Sequence, residues 1–235
     1  MSTQADARKT IAFVLYPGLT PLDLIGPLQV MSALAVIDPS FRTTVVAERI
    51  DSMPSDTPVR LTPERVFDDE PDPFAVVVPG GGAPTIRALA NEAILDYVRA
   101  AAQHAEYVTS VCTGALVLAA AGLLEGRQAT THWAYAGILE RLGATYVRQR
   151  WVEDGKRITS AGVSAGIDMA LHLTERLTSG DLARLVQLVI EYDPQPPGGR
   201  IDWEQTDVPA LTELFMARLR ENLGDRPDLV ERLVG

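Results

Sequence analysis

The residue with the clearest chemical potential is Cys112, the only cysteine in this 235-residue chain. It separates a β-rich run, Tyr107 to Val111, from helix-forming residues that start at Thr113. Small residues at Ser110 and Gly114 give the spacing of a nucleophile elbow, a sharp strand-to-helix turn that exposes a nucleophile. A helix that begins beside the sulfur favours the reactive thiolate. The alternative is a buried structural cysteine, because free cysteine is among the most buried residue types.

Asp23 is a second candidate, because it is a carboxylate set among apolar neighbours in the sequence Leu-Asp-Leu-Ile. It follows the first predicted strand. It could cap a helix that begins near Pro21, or it could be an acid in a partly dry pocket. If Asp23 lies near Cys112, burial would raise its pKa and allow it to hold a proton.

Three consecutive glycines, Gly80 to Gly82, follow another predicted strand. Such a loop lets backbone approach a ligand, so Gly81 and Gly82 are candidate substrate-binding residues, although glycines after a strand also fit a simple turn. The loop lacks the Gly-Lys-Ser/Thr signature of a phosphate loop. The Thr113 amide is an oxyanion-hole candidate, and its hydroxyl could bond a substrate or water. An ordinary first-turn residue of a helix is the equal alternative for Thr113.

Of the three histidines, only His132 is expected near the site, whereas His104 and His172 fit surface and structural roles. One cysteine and scattered histidines do not make a zinc cluster, so no metal site is predicted. Asp193 stands near the end of a predicted helix, where an acid is unfavourable. A specific role for Asp193 therefore competes with that of a solvated turn residue.

Alternating strands and helices must position these residues. Their order predicts an α/β fold with a mostly parallel sheet, helices on both faces and a site at the carboxyl ends of the strands. We expect an edge strand at 59–61, a break or kink at Gly26-Pro27 and a hairpin turn at Asp154-Gly155. The predicted strands are 11–15, 43–47, 74–78, 107–111, 144–150 and 157–160, and the predicted helices are 21–37, 91–104, 113–121, 133–142, 164–177 and 181–191.

A Pro/Gly-rich break at 194–199 divides the chain into one α/β domain, 1–199, and a polar C-terminal tail, 200–235. The tail is too short for a core of its own. We therefore expect it, with a helix at 208–222, to pack on the same domain or on a second subunit.

Composition limits the classes of function. Apolar residues make up 46% of the chain, which is enough for a sizeable core, and the net charge of −10 argues against non-specific binding to nucleic acid or an anionic membrane. A single cysteine excludes an internal disulfide, so a reducing cytoplasm is the expected compartment. The polar start, 1–10, lacks the apolar core of a signal peptide, and no apolar run reaches the ~18 residues of a membrane span.

From about Lys9 to Pro197 the chain resembles the ThiJ/PfpI superfamily, which is related to class I glutamine amidotransferases. The resemblance implies a flavodoxin-like sandwich and usually a homodimer. Its motifs are Tyr16-Pro17-Gly18, the run from Val76 to Gly82, Ser110-Val111-Cys112-Thr113-Gly114, Ala129-Thr130-Thr131-His132-Trp133 and the run from Ala161 to Asp168.

Many members of this superfamily have a glutamate in the first loop, whereas this chain has Asp23. The pairing of an aspartate with Cys-Thr-Gly is similar to the isonitrile hydratase subgroup, in which Asp193 matches a second acidic position. The resemblance implies addition of water to an isonitrile to give an N-substituted formamide. In that scheme Cys112 forms a thioimidate, Asp23 delivers a proton, and Thr113 or a carboxylate orients water. It needs no metal or organic cofactor.

Two alternatives stay open at this stage. Similar domains form the sensor half of AraC-type transcription regulators, which would make this chain a non-catalytic ligand-binding module, although the tail is too short for their DNA-binding units. The third interpretation is a glyoxalase or hydrolase of the same superfamily, which the aspartate at position 23 disfavours.

Overall fold

The computed structural model describes residues 8–234, so most of the polar start, 1–10, lies outside the described residues. The strands in chain order are β1 Lys9–Val14, β2 Phe41–Ala47, β3 Met53–Pro54, β4 Arg60–Leu61, β5 Arg65–Val66, β6 Ala75–Val78, β7 Tyr107–Val111, β8 Gln128–Ala129, β9 Thr145–Tyr146, β10 Trp151–Asp154 and β11 Arg157–Ser160. The α-helices are α1 Pro21–Ile37, α2 Ala83–Ala88, α3 Glu92–His104, α4 Gly114–Ala120, α5 Ala136–Arg141, α6 Ala165–Leu177, α7 Gly180–Val189, α8 Val208–Asn222 and α9 Pro227–Leu233.

A seven-stranded sheet in the order β10-β11-β7-β6-β1-β2-β5 forms the centre of the molecule. Its pairings are parallel except for the antiparallel β10–β11 hairpin. The central strands β1, β6 and β7 are almost entirely buried, as the uninterrupted apolar runs predicted. The structure therefore confirms the expected α/β, flavodoxin-like fold, with helices flanking a mostly parallel sheet.

Two expected details were wrong, and a third, the break or kink expected at Gly26-Pro27, is not a break. The strand expected at 59–61 is not an edge of the main sheet, because β4 pairs only with β3 in a separate two-stranded ribbon. The strand expected at 144–150 is reduced to β9, which pairs with β8, and β10 takes its place in the hairpin. Helix α1 continues through Gly26 and Pro27 instead of breaking. A Cβ on Gly26 would lie only 3.1 Å from Ile167 of α6, so close packing between the two helices supports this turn.

The C-terminal tail contacts the α/β domain of its own chain. Arg87 of α2 binds the carboxylate of Asp225 at 2.5 Å, and the Arg141 side chain donates to the Leu233 carbonyl at 2.8 Å. Leu219 and Leu223 are buried in the main core. Helix α8 is therefore held against the domain close to the ends of the strands.

Within residues 8–234, no helix is both long enough and apolar enough to cross a bilayer.

Candidate active site

Cys112 occupies a strained turn between β7 and α4. Its φ is +56°, a left-handed conformation that is rare for residues other than glycine, and its side chain is only 4% exposed. The Cys112 N–H points at the carbonyls of Ser160 and Ala161, at 3.1 and 3.2 Å, at the end of the neighbouring strand β11. The thiol is thus held at the carboxyl edge of the sheet, where the sequence predicted a nucleophile elbow.

Two glycines allow the loop after β6 to lie directly against this turn. A Cβ on Gly114 would lie 2.0 Å from the Val78 carbonyl oxygen, and one on Gly80 would lie 2.5 Å from the Thr113 nitrogen. No side chain larger than a hydrogen atom fits at either position without moving backbone. Gly114, the last small position of the elbow pattern, and Gly80 of the glycine loop therefore serve close backbone packing.

Asp23 lies in the first turn of α1 and is fully buried. The Gly80 N–H donates to Asp23 Oδ2 at 3.1 Å, and the Gly80 carbonyl accepts from the Thr20 N–H at 2.9 Å. The other carboxyl oxygen, Oδ1, is buried and has no hydrogen-bond partner among residues 8–234. The first loop and the glycine loop are thereby joined, and one oxygen of Asp23 is left free for a proton or a ligand.

Burial dominates the electrostatics of the pair formed by Asp23 and Cys112. Burial raises the pKa of Asp23 to about 7, against the opposing effects of the Gly80 hydrogen bond and of the Cys112 thiol. Burial also raises the pKa of Cys112 well above its ordinary value, and the charge of Asp23 raises it further. The N–H groups of Val163 and Thr113 lower it by less.

The pKa of Cys112 is therefore raised, whereas the elbow pattern predicted that the helix start would favour the thiolate. Helix α4 has only seven residues, and the N–H groups at its start do not compensate for a dry site with a carboxylate as neighbour. Each group shifts the pKa of the other, so the Asp23 carboxyl and the Cys112 thiol are electrostatically coupled.

Thr113 uses its hydroxyl inside the protein. Its Oγ1 accepts a hydrogen bond from the Gly81 N–H at 2.8 Å and donates to the Gly81 carbonyl at 2.5 Å. This double contact fixes the glycine loop to the elbow and leaves the Thr113 backbone N–H as the group directed at the sulfur. Gly82 faces Tyr135, whose hydroxyl is 3.9 Å from where a Cβ on Gly82 would lie.

His132 lies beside the elbow, as predicted, but it is neutral at pH 7. Burial lowers its pKa to about 4, and its Nδ1 accepts a hydrogen bond from the Ala134 N–H at 3.3 Å. The adjacent Thr131 hydroxyl donates to the Cys112 carbonyl at 2.9 Å, which ties this segment to the turn. His132 therefore offers an aromatic face and a neutral ring to the site.

Asp193 is not brought together with the other predicted site residues. It is exposed, and its carboxylate accepts a hydrogen bond from Gln195 of the same segment at 3.0 Å. His104 is at the surface near Asp72, and His172 binds Glu153 at 2.8 Å, in keeping with their expected non-catalytic positions.

Sequence reasoning missed two groups at the site, the Val163 N–H and the Tyr135 phenol. Val163 has φ +35° and follows β11, so the strand end beside β7 was the available signal. Tyr135 ends a short 3₁₀ turn, Trp133–Tyr135, directly after His132. Burial and the charge of Cys112 raise the pKa of Tyr135 to about 12, so its phenol keeps its proton.

No group of three or more His, Cys, Asp or Glu side chains suited to a metal ion occurs in the part of the chain that the structure describes. The groups gathered around the turn at Cys112 are a thiol, the Asp23 carboxyl and the backbone N–H groups of Thr113 and Val163.

The chain is similar to known proteins over most of its length. The DJ-1/PfpI family matches residues 9–176. Isonitrile hydratase from Pseudomonas putida is 46% identical over 224 residues, which span 94% of this chain and 95% of that protein. A crystal structure of a ThiJ/PfpI family protein from Pseudomonas syringae has a TM-score of 0.83 at 32% identity and covers 97% of this chain and 91% of its own.

A third relative is the HTH-type transcriptional regulator GbdR of Pseudomonas aeruginosa, strain UCBPP-PA14. It is 30% identical over 190 residues, which span 75% of this chain but only 49% of the regulator. The family match extends across the first loop, the glycine loop, the elbow and the segment after β11, which together build the site around Cys112. The chain therefore belongs to the DJ-1/PfpI family.

Proposed function

We propose that this chain is an isonitrile hydratase, which adds water to an isonitrile, R–NC, and releases an N-substituted formamide. The observation that carries the proposal is the buried Asp23 carboxyl beside the Cys112 thiol, with one carboxyl oxygen unpartnered among the described residues. The 46% identity to isonitrile hydratase from Pseudomonas putida, over nearly the whole chain, supports the same assignment.

The resting protonation state suits the first step. The terminal carbon of an isonitrile must gain both a proton and a nucleophile. A thiol beside a carboxylate holds both: Asp23 takes the proton of the Cys112 S–H group and passes it to the carbon, and the sulfur attacks that same carbon. The S–H bond breaks, C–H and C–S bonds form, and the product is a thioimidate, R–N=CH–S. Asp23 ends the step as a carboxylate again.

Water then completes the reaction. The oxygen of water adds to the thioimidate carbon while Asp23 accepts a proton from that water. Asp23 then donates the proton to the thioimidate nitrogen. The resulting R–NH–CH(OH)–S intermediate collapses, its C–S bond breaks, and the sulfur recovers the hydroxyl proton. The sum is one isonitrile and one water converted to R–NH–CHO, with thiol and carboxylate restored. A carboxyl group with a pKa near 7 suits a group that both accepts and donates a proton at neutral pH.

The surrounding groups have supporting roles in this proposal. The Thr113 and Val163 N–H groups stabilise negative charge on sulfur while the proton is in transit, because both favour the thiolate. The Thr113 hydroxyl holds Gly81 in place and does not orient water, since it already makes two contacts with the Gly81 backbone. Gly82 places no side chain against the Tyr135 hydroxyl, which a Cβ would contact at 3.9 Å, so this phenol can face the substrate.

The decisive experiment measures formamide formation from cyclohexyl isocyanide by wild-type protein and by Cys112→Ala. We expect turnover by the wild type and none by the variant. Asp23→Asn should also fail to release product, because it can neither relay nor accept the proton. Since Cys112 is the only cysteine, a covalent adduct equal in mass to one isonitrile can be assigned to that residue alone. Formamide production by Cys112→Ala would overturn the mechanism.

A ligand-binding module without catalysis is the second candidate, and the similarity to the regulator GbdR favours it. A glyoxalase or hydrolase of the same family is the third. Methylglyoxal assayed in parallel separates them: turnover of methylglyoxal alone supports the glyoxalase, and binding of isonitrile without turnover of either compound supports the binding module.

We also propose that the active form is a homodimer in the cytoplasm, where a single thiol stays reduced. Apolar side chains exposed on α1 and on α7 supply the surface for the second copy.

A further inference from the structure

A chain of aromatic rings leads away from the elbow. The His132 ring lies 5.8 Å from that of Tyr135 and 5.6 Å from that of Phe215, measured between centroids. Trp133 packs against Phe215 at 5.2 Å and against Trp203 at 6.4 Å. We call Tyr135, His132, Trp133, Phe215 and Trp203 the aromatic wall.

The wall is built from two distant parts of the chain. Tyr135, His132 and Trp133 come from the segment beside the elbow, whereas Trp203 and Phe215 come from the tail, beyond residue 176, where the family match ends. The similarity to isonitrile hydratase covers 94% of this chain, which is too much to leave out Phe215, at 20 residues before the C-terminus. The region aligned with that relative therefore includes the positions of Trp203 and Phe215. Both positions lie outside the part of the chain that the family match covers.

Exposure rises along the wall from the thiol outwards. Tyr135 is buried, His132 and Trp133 are half-buried, and Phe215 and Trp203 are 37% and 36% exposed. The anchored leucines of α8 and the Arg87–Asp225 contact hold Phe215 in place. The guanidinium of Arg148 lies 5.8 Å from the Trp203 ring centroid at the outer end. Solvent therefore meets a fixed apolar surface that leads to the site.

The chemistry of the wall selects a type of ligand. Its rings are uncharged, since His132 is neutral at pH 7, and they offer faces and edges to an apolar group. We infer that the aromatic wall is the subsite for the organic substituent R of the substrate, and that Phe215 and Trp203 determine specificity for bulky apolar isonitriles. This inference rests on the proposed function and adds to it the class of substrate.

The size of R should decide how much the wall contributes. A cyclohexyl ring reaches the wall and buries apolar area against it, whereas a methyl group remains near the thiol. Each additional methylene group in an apolar pocket changes kcat/KM by about 10-fold or more. Truncation of Phe215 should therefore weaken binding of the large substrate and leave the small one unaffected.

The test compares cyclohexyl and methyl isocyanide with wild-type protein, Phe215→Ala and Leu214→Ala. Leu214 is the matched control, because it is an exposed apolar residue on the same helix and lies outside the wall. For Phe215→Ala we expect kcat/KM on cyclohexyl isocyanide to fall by about tenfold, mainly through KM, with less than about a twofold change on methyl isocyanide. Leu214→Ala should change neither. Equal losses on both substrates, or no loss at all, would overturn the inference.

A binding measurement separates this inference from the proposed function. In Cys112→Ala, N-cyclohexylformamide should quench the fluorescence of Trp133 and Trp203 saturably, and adding Phe215→Ala should weaken that binding by about tenfold. Saturable quenching by a wild-type protein that turns over no isonitrile would refute the hydratase and retain the wall as an apolar ligand site. If the wild type turns over isonitrile normally and Phe215→Ala does not change the binding of N-cyclohexylformamide, the proposed role of the aromatic wall is refuted and the proposed function is not.

Discussion

At the scale of single residues, the buried carboxyl of Asp23 lowers the free energy of unfolding by an amount that depends on pH. Its pKa is about 7 in the folded protein against 3.8 when unperturbed. Between these values Asp23 ionises in the unfolded chain and stays protonated in the folded one. The contribution of Asp23 to stability is therefore most favourable below pH 3.8, falls as pH rises towards 7, and stays low above it. Ionised Asp23 is therefore a destabilising group kept at the site.

Asp23→Asn should therefore stabilise the protein at pH 8 and do so far less at pH 4. The shift corresponds to up to about 4 kcal/mol of unfolding free energy at pH 8, less the cost of burying the amide group of asparagine. Urea denaturation of both proteins at the two pH values measures this, and formamide assays should show the more stable variant to be inactive. A gain in stability that is the same at pH 4 and pH 8 would contradict the ionisation argument.

The position of Asp23 could be predicted from the sequence, but the protonation state of Cys112 could not. A lone cysteine between a β-rich run and a helix, and an acid after the first strand, indicate a site at one sheet edge. Whether the thiol is ionised depends on burial and on Asp23, which lies 89 positions away in the chain. The local sequence favoured the thiolate, because the desolvation that opposes it arises only in the folded molecule.

At the scale of elements, the elbow depends on the contact between the start of α4 and the end of β6. Gly114→Ala should destabilise the protein by at least about 3 kcal/mol and reduce formamide formation, because the new methyl group would lie 2.0 Å from the Val78 carbonyl oxygen. Backbone must move to relieve this overlap, and Cys112 is two residues away. Thermal denaturation and the cyclohexyl isocyanide assay measure the two effects.

Gly137→Ala is the matched control. Gly137 is in helix α5, and a Cβ there would meet nothing within 4 Å, so alanine should raise stability by about 0.5–1 kcal/mol through helix propensity. Equal stability of the Gly114 and Gly137 variants would mean that the loop after β6 does not need to lie against the elbow.

Strands marked by an uninterrupted apolar or β-rich run were predicted well. Strand β7 has the predicted bounds, and β1 and β6 lie where the fully apolar runs stand. Short elements without periodicity were missed or misplaced: α2 begins directly after the glycine loop, α9 lies in the polar tail, and β10 was taken for part of the hairpin loop. Their structure depends on contacts with distant residues, such as Arg87 of α2 with Asp225.

At the scale of the whole molecule, one large surface is apolar and unoccupied by the described chain. Helices α1 and α7 pack side by side around a cleft of about 500 Å³ between them. Their exposed apolar residues are Leu22, Ile25, Val36, Leu185, Leu188 and Val189. Contiguous exposed apolar patches of this kind mark association surfaces. Asp23 lies in the first turn of the same α1, so association on this face would also restrain the carboxyl for which we propose a catalytic role.

We expect the wild type to sediment as a dimer, at twice its chain mass of 25.4 kDa, and Leu188→Glu to sediment as a monomer. Leu188 is 74% exposed, so a charge there costs little in an isolated chain but would be buried unpaired in a dimer formed on this face. Val59→Glu is the control, since Val59 is also an exposed aliphatic residue but lies in the loop between β3 and β4. If Leu188→Glu keeps the mass of the wild-type dimer, the second copy binds elsewhere. Because Asp23 is fully buried within one chain, the monomeric variant should keep the pKa of Asp23 near 7.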